Sequence, residues 1–333
     1  MTKVVPKGID EISPALKCWA TLLTGLIVAW QQRVKSTRPL LPFWLRLHRA
    51  VRMRYFSDTN GFTMSTSIKA KAAAFHQLHH ADQLLVLPNC WDALSALILK
   101  EAGAKAIATT SAGLAWAHGY SDGEKLPVDA LIRGVREITR VIDLPVTVDL
   151  ESGFSDDLAA FATTIEAVID AGAVGINLED GSKSSELLIA KIGVAKEVAG
   201  RKDVPFFLNA RTDVVLRSLA PETESVTEVI RRGTLYRDAG GDGFFVPGLV
   251  QLDKIQQIVE SVDLPLNVLA TRGVANIPEI ERTGAKRLSV GARLSEAVFG
   301  RLKQLATRLI HDRSVEGLFA ESLSFAEINQ LLS

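Results

Sequence analysis

Three carboxylates and one guanidinium stand where short apolar runs end. Asp149 and Glu151 close Val146-Thr-Val-Asp-Leu-Glu-Ser-Gly-Phe-Ser155, Glu179 closes Gly175-Ile-Asn-Leu-Glu-Asp180, and Arg211 closes Phe206-Phe-Leu-Asn-Ala-Arg-Thr-Asp213. Read as strands, such runs send alternate side chains to opposite faces. Asp149 and Glu151 then share one face, while Val148 and Leu150 take the other. Asn177 and Glu179 likewise share a face, leaving Asp180 to point away and cap the next helix. Carboxylates gathered at buried strand ends are costly unless a cation sits among them. A hard divalent ion with oxygen ligands answers that cost. Mg²⁺ fits best, with Mn²⁺ as the alternative, because it takes few protein carboxylates and keeps water and substrate oxygens. The competing reading is a helix cap or turn acid after an ordinary strand.

Arg211 offers a planar fork for a substrate carboxylate or phosphonate, or a salt bridge to the acids themselves. The stretch Thr109 to Gly123 reads as a long connection with glycines, of the kind that forms lids and binding loops. Backbone amides at Ser111, Gly113 and Leu114 are candidates for an anion-binding nest. Asp122 is a candidate acid-base group. His118 has no partner of ligand type nearby and reads as a hydrogen-bonding residue. Asn267, Ser289 and Gly291 are candidate substrate contacts. Cys90 reads as a packed thiol, and Asp92 as the cap of the following helix.

The elements that must hold these residues form a repeat. Apolar runs stand at Leu84–Pro88, Ala106–Thr110, Val146–Asp149, Val174–Glu179, Phe206–Arg211, Gly243–Val246, Leu266–Leu269 and Arg287–Val290. Runs this apolar suit strands of a parallel sheet buried on both faces, and each interval holds a crossover helix. Asp143-Leu-Pro145, Asp203-Val-Pro205 and Asp263-Leu-Pro265 introduce alternate strands. The others follow Gly103, Gly172, Gly240-Gly241 and Gly284, which suit helix C-termini. Eight such units predict a (β/α)₈ TIM barrel with extra C-terminal helices, whose active site lies at the carboxyl ends of the strands. The alternative is a doubly wound open parallel sheet. No Gly-x-Gly-x-x-Gly follows the first run, where Pro88-Asn-Cys-Trp-Asp92 stands instead.

The 333-residue chain has no formal net charge, which argues against nucleic-acid binding through a strong basic field. Two cysteines, Cys18 and Cys90, exclude a disulfide framework and suggest a reducing, cytoplasmic setting. Residues 1–63 read as an extension to a catalytic domain at 64–333. Cys18 to Trp30 is too short for a stable membrane span, and Arg33 to Arg54 is basic without an acid. We expect an appendage without catalytic role rather than a targeting segment.

With these residues assembled, the chain resembles the isocitrate lyase/phosphoenolpyruvate mutase superfamily. The resemblance rests on Ser-Ala-Gly-Leu at 111–114, Asp-Leu-Glu-Ser-Gly-Phe at 149–154, Leu-Glu-Asp at 178–180 and Asn-Ala-Arg-Thr-Asp at 209–213, within residues 66–300. It implies a (β/α)₈ barrel in a homo-oligomer, with the last helix swapped between subunits. It implies Mg²⁺ on Asp149, with Glu151 and Glu179 acting mostly through water. The substrate would be a small 2-oxo or 2-hydroxy carboxylate held by Arg211 and the amides near Gly113, and the chemistry would pass through a metal-stabilised pyruvate-like enolate. One departure stands out. Isocitrate and methylisocitrate lyases carry Lys-Lys-Cys-Gly-His after the fourth strand, whereas here Asp180 is followed by Gly-Ser-Lys-Ser-Ser-Glu186. That argues against cleavage of those two substrates. The expected function is a C–C bond lyase. The alternatives are a mutase or hydrolase of P–C bonds, and a carboxylate-binding barrel without turnover.

Overall fold

Nine short parallel strands follow one another around a single sheet in the computed structural model, which describes residues 64–333. The extension expected at residues 1–63 lies outside the described residues. The strands are β1 (Leu85–Leu87), β2 (Asn89–Cys90), β3 (Ile107–Thr109), β4 (Val146–Asp149), β5 (Gly175–Glu179), β6 (Phe207–Arg211), β7 (Gly243–Phe245), β8 (Leu266–Leu269) and β9 (Arg287–Ser289). Their order is β1-β9-β8-β7-β6-β5-β4-β3-β2. Because β1 and β2 are separated only by Pro88, both ends of this order meet in one segment. Leu85–Leu87 pairs with β9, and Asn89–Cys90 pairs with β3. The sheet is therefore a nearly closed barrel, which rules out the doubly wound alternative. The first apolar run counts as two strands because Pro88 brings no ladder donor, although its carbonyl still accepts from Ala108 N–H.

The intervals supply α1 (Met64–His79), α2 (Ala93–Glu101), α3 (Ser111–Ala117), α4 (Val128–Val141), α5 (Leu158–Asp170), α6 (Ser185–Lys202), α7 (Ser225–Asp238), α8 (Leu252–Ser261), α9 (Ile277–Glu281), α10 (Arg293–Ile310) and α11 (Phe325–Leu331). Asp92 caps α2, its side chain taking the N–H of Ser95 at 2.7 Å, as the sequence predicts. Among the described residues, no helix is long and apolar enough to cross a membrane.

Strands β3 to β9 bury Val, Ile, Leu or Phe outward against the helices, including Val148, Ile176, Leu208, Phe244, Val268 and Leu288. The inward faces differ. Residues paired across parallel strands share a face, and the pairs Asp149↔Asn177, Asn177↔Asn209 and Asn267↔Arg287 fix a polar column inside the barrel. α1 lies at the opposite end of that column from the acids, where His79 stacks on Phe207 with ring centroids 4.0 Å apart. One outward strand residue is uncovered. Val86 on β1 is 42% exposed and faces a groove of about 450 Å³ lined by Leu84, Pro88, Leu99 and Ala104.

Candidate active site

The acid cluster forms where β4, β5 and β6 stop. Asp149 is the last residue of β4; its Oδ2 accepts the Ser111 N–H at 3.3 Å, and its Oδ1 is buried without a partner. Strand alternation does not carry on to Glu151, which sits in the turn at φ 49°. Gly153 and Phe154 follow at φ 98° and 62°. Two non-glycine residues held in the left-handed region mark a turn that its surroundings over-determine. At Gly153 an added Cβ would lie 2.6 Å from the Phe161 ring, so the turn has no room for a side chain there.

This turn returns Glu151 to the cluster, where both its carboxylate oxygens accept the Glu124 N–H at 2.9 Å. Burial raises the Glu151 pKa to about 7; the Glu124 N–H opposes the rise, while Asp122 and Asp149 add to it. Asp122 thus acts on the cluster from the exposed loop before α4.

Glu179, the last residue of β5, meets Arg211 Nη1 at 2.7 Å. Burial raises its pKa to about 8; the neighbouring guanidinium opposes this, and Asp213, Asp149 and Glu151 add to it. Burial alone would lower the pKa of Arg211, but Glu179, Asp213 and Asp149 raise it above the usual range. Arg211 Nε also donates to Asp213 Oδ1 at 2.7 Å, in line with the salt-bridge reading of this arginine. Two of its three nitrogens, Nε and Nη1, are thus taken by protein carboxylates. The other oxygen of Asp213, which is fully buried, accepts from Arg217 Nε at 2.7 Å. Arg217 is half exposed at the same mouth, and Asp213 with Arg217 four residues on is the signal that would have found it.

Several expectations are corrected. Asp180 does not cap the next helix, a place taken by Ser184. Asp180 is buried and accepts from Thr212 Oγ1, Asp213 N–H, Arg232 Nη1 and Tyr236 Oη at 2.6 to 2.9 Å. The stretch after β3 is no open lid, for it begins with helix α3. In that helix the Gly113 and Leu114 amides bond back to Thr110 Oγ1 and Thr110 O, so the amide that meets the cluster is that of Ser111. Gly113 is needed for close packing instead, since a Cβ there would come 2.6 Å from Thr110 and 3.0 Å from Trp91. Leu114 packs fully into the core.

Asn267 lies inside the barrel and donates to Ser289 Oγ at 3.1 Å, leaving its Oδ1 without a partner. Cys90 is buried and burial pushes its thiol pKa up, so it is inert packing. His118 hydrogen-bonds through its Nδ1 to Leu114 O at 2.9 Å, in keeping with its expected role.

The loops at this mouth are tied together. Ser152 Oγ donates to Glu124 Oε1 at 2.7 Å, Lys191 Nζ donates to Ser152 O at 2.6 Å, and Lys183 Nζ reaches Asp156 at 2.5 Å. The short Gly181-Ser-Lys-Ser184 connection therefore braces the turn after β4.

Among the described residues, no group of three or more His, Cys, Asp or Glu side chains is set to hold a metal ion directly. The donors nevertheless fit a hydrated hard ion. Asp149 Oδ1 is a buried carboxylate oxygen without a partner, and burial raises the pKa of the two acids beside it, a cost that a cation would offset.

The phosphoenolpyruvate phosphomutase family model matches residues 75–310. A Burkholderia cenocepacia J2315 structure provisionally described as a phosphonomutase is 37% identical, covers 71% of this chain and 99% of its own, and superposes with a TM-score of 0.68. The 2-methylisocitrate lyase of Bacillus subtilis (strain 168) is 25% identical over 283 residues, which are 78% of this chain and 91% of that enzyme. The fold is shared with a phosphonopyruvate hydrolase solved with oxalate and Mg²⁺, at 21% identity and a TM-score of 0.70 over 79% of this chain and 94% of that one. A match over most of the barrel, joined to the acid cluster at its mouth, places this chain in the phosphoenolpyruvate phosphomutase family, within the superfamily that also holds the 2-methylisocitrate lyases.

Proposed function

We propose that this chain is a Mg²⁺-dependent lyase that cleaves a C–C bond in a small 2-oxo or 2-hydroxy carboxylate and releases pyruvate or a close analogue. The observation that carries the reading is the unpartnered, buried Oδ1 of Asp149 beside two proton-holding acids and Arg211. Asp149 would hold the ion directly, and Glu151 and Glu179 through water. When bound, the ion supplies positive charge next to the oxygen on which negative charge develops. The chain's own groups do the rest. Arg211, through Nη2, meets the substrate carboxylate, Arg217 meets its second anionic group, and the Ser111 amide fixes Asp149. Asp122, on the exposed side of the cluster, takes the hydroxyl proton of a 2-hydroxy substrate as its C–C bond breaks. With no cysteine in the Gly181–Ser184 connection, the carbon released as an anion takes its proton from solvent.

A second reading, P–C bond cleavage or rearrangement of a phosphonate, is favoured by two arginines converging on one mouth and by the 37% identical relative. Purified full-length chain should be assayed for pyruvate from oxaloacetate, methylisocitrate, a dimethylmalate and phosphonopyruvate, with Mg²⁺ and with EDTA. We expect EDTA-sensitive pyruvate from a C–C acid. Pyruvate from phosphonopyruvate alone would replace this reading with the second. No turnover on any of them would favour a binding barrel.

A second copy of the chain is proposed as the cover of the groove at Val86. Val298, Leu302 and Ile310 on α10 are exposed in this single chain and offer a matching apolar face. Light scattering is expected to report a dimer or larger, and a monomer at micromolar concentration would refute this.

A further inference from the structure

Arg287 is the largest fully buried side chain of the described residues, and it lies inside the barrel. Nothing in the proposed chemistry uses it. Its Nη2 donates to Asn177 Oδ1 at 3.0 Å, and Asn209 Nδ2 donates to that same oxygen at 2.9 Å. Its Nε and Nη1 face the lumen with no protein partner. A guanidinium taken out of water without a paired carboxylate is expensive and needs a compensating charge.

The surroundings offer one such charge. Asn177 is paired in register with Asp149, so the acid stands on the lumen face next to the residue that Arg287 holds. Burial lowers the Arg287 pKa to about 9, and Asp149 is the acid that opposes this. From the other end of the lumen comes His79, whose Nδ1 lies 2.8 Å from Phe75 O and therefore carries the proton, leaving Nε2 bare. Burial, then the field of Arg287, holds the His79 pKa down to about 3, so this histidine brings no charge.

The lumen is also shaped to hold polar side chains. Gly175 and Gly243 stand on the inward face, where a Cβ would come 3.3 Å from Thr147 Oγ1 and 2.8 Å from Asn209 Oδ1 respectively. Apolar packing of branched residues, the usual filling of such barrels, is thus replaced by a polar column that runs from His79 through Arg287 and Asn177 to Asp149.

We propose that Arg287 is a positioning residue of the active site, holding Asn177 and laying a fixed positive charge beneath Asp149 that loosens the grip of the site on its divalent ion. This inference rests on the metal reading of Asp149. A charge inside a low-dielectric barrel acts strongly over short range. Arg287 therefore competes with the bound ion for the same carboxylate, and keeps the ion exchangeable.

The test is Mn²⁺ binding to the full-length chain, followed by electron paramagnetic resonance of the free ion, for wild type, Arg287→Met, Arg287→Gln and Arg287→Lys. Loss of the charge in Arg287→Met and Arg287→Gln is expected to tighten Mn²⁺ binding by about tenfold. Arg287→Lys, which keeps the charge, should bind within a factor of about three of wild type. A purely structural arginine predicts the reverse, since a loosened lumen weakens the ion's site. Arg287→Gln keeps a donor for Asn177, so it serves if Arg287→Met does not fold. Unchanged or weaker Mn²⁺ binding in a cooperatively folded neutral variant would overturn the inference while leaving the metal reading intact. Absence of Mn²⁺ binding by wild type would overturn both.

Discussion

Asp149→Ala is expected to abolish turnover, by on the order of 10³-fold or more, while leaving the protein as cooperatively folded as before. The side chain gives the fold little. One oxygen accepts a single long hydrogen bond from Ser111, and the other is buried without any partner. Removing it takes away an unsatisfied buried acceptor and relieves repulsion among the acids, but also withdraws the negative charge that faces Arg287 and Arg211, so the two effects offset and stability should change little. What disappears is the one oxygen placed for direct ligation. Thermal melts with and without Mg²⁺ separate these effects. Wild type should melt at a higher temperature with Mg²⁺, and Asp149→Ala should show no such shift.

The pH dependence has a fixed sign. Glu151 at about 7 and Glu179 at about 8 both lie above the ordinary value of 4.5. Between 4.5 and 8 the metal-free folded chain holds protons that the unfolded chain has released, so its stability falls as pH rises through that window. A cation takes the place of those protons, and the Mg²⁺-dependent rise in melting temperature should be larger at pH 8 than at pH 6. An active Asp149→Ala variant, or one stabilised by Mg²⁺ as much as wild type, would sink the assignment.

The parts of this site that are local in the chain could be read from it. Eight apolar runs with alternating proline and glycine punctuation give the barrel, because each unit carries its own start and stop. Asp149, Glu179 and Arg211 were legible because each ends a run and a barrel opens where its strands end. Glu151 was found for an imperfect reason, since it reaches the cluster through a left-handed turn and not by strand alternation. The helix Ser111–Ala117 escaped because seven residues, with a glycine among them, hold too few turns to show a helical period. Arg287 escaped because a charge at the first position of a strand reads as a solvated flank. Its parity with Ser289 pointed inward, but only the closed ladder shows that the inside is polar. Val86 reads as ordinary strand, and its exposure depends on where the last helices go.

Asp180 escaped for a related reason, and it carries the second large expected effect. Asp180→Ala should destabilise the protein by about 3 to 5 kcal/mol, the cost of breaking a buried ion pair from one side. The contrast with Asp149 lies in what each carboxylate satisfies. Strand alternation does turn Asp180 away from the lumen, but there it meets Arg232 and Tyr236 of α7, 52 and 56 residues further on, besides Thr212 and Asp213 after β6. No local pattern announces contacts that distant.

Removing the carboxylate leaves the mostly buried Arg232 guanidinium with Glu228 alone, and strands a buried phenol, a hydroxyl and an amide in a single step. Against the 5 to 15 kcal/mol typical of a folded domain, that is a large fraction. The melting temperature should fall by about 10 °C. Activity should fall as well, because the Asp180 carboxylate accepts the Asp213 N–H and Asp213 in turn holds Arg211 Nε, so the frame that aims Arg211 rests on it. Urea denaturation checks the claim. An unfolding free energy within about 0.5 kcal/mol of wild type would show that α7 finds other partners and that Asp180 is not the clamp between β5, β6 and α7. Asp180→Asn keeps an acceptor for Tyr236 and Thr212 but loses the charge opposite Arg232. It should fall between the two, and its residual activity would report how far the placement of Arg211 depends on the charge and how far on the hydrogen bonds alone.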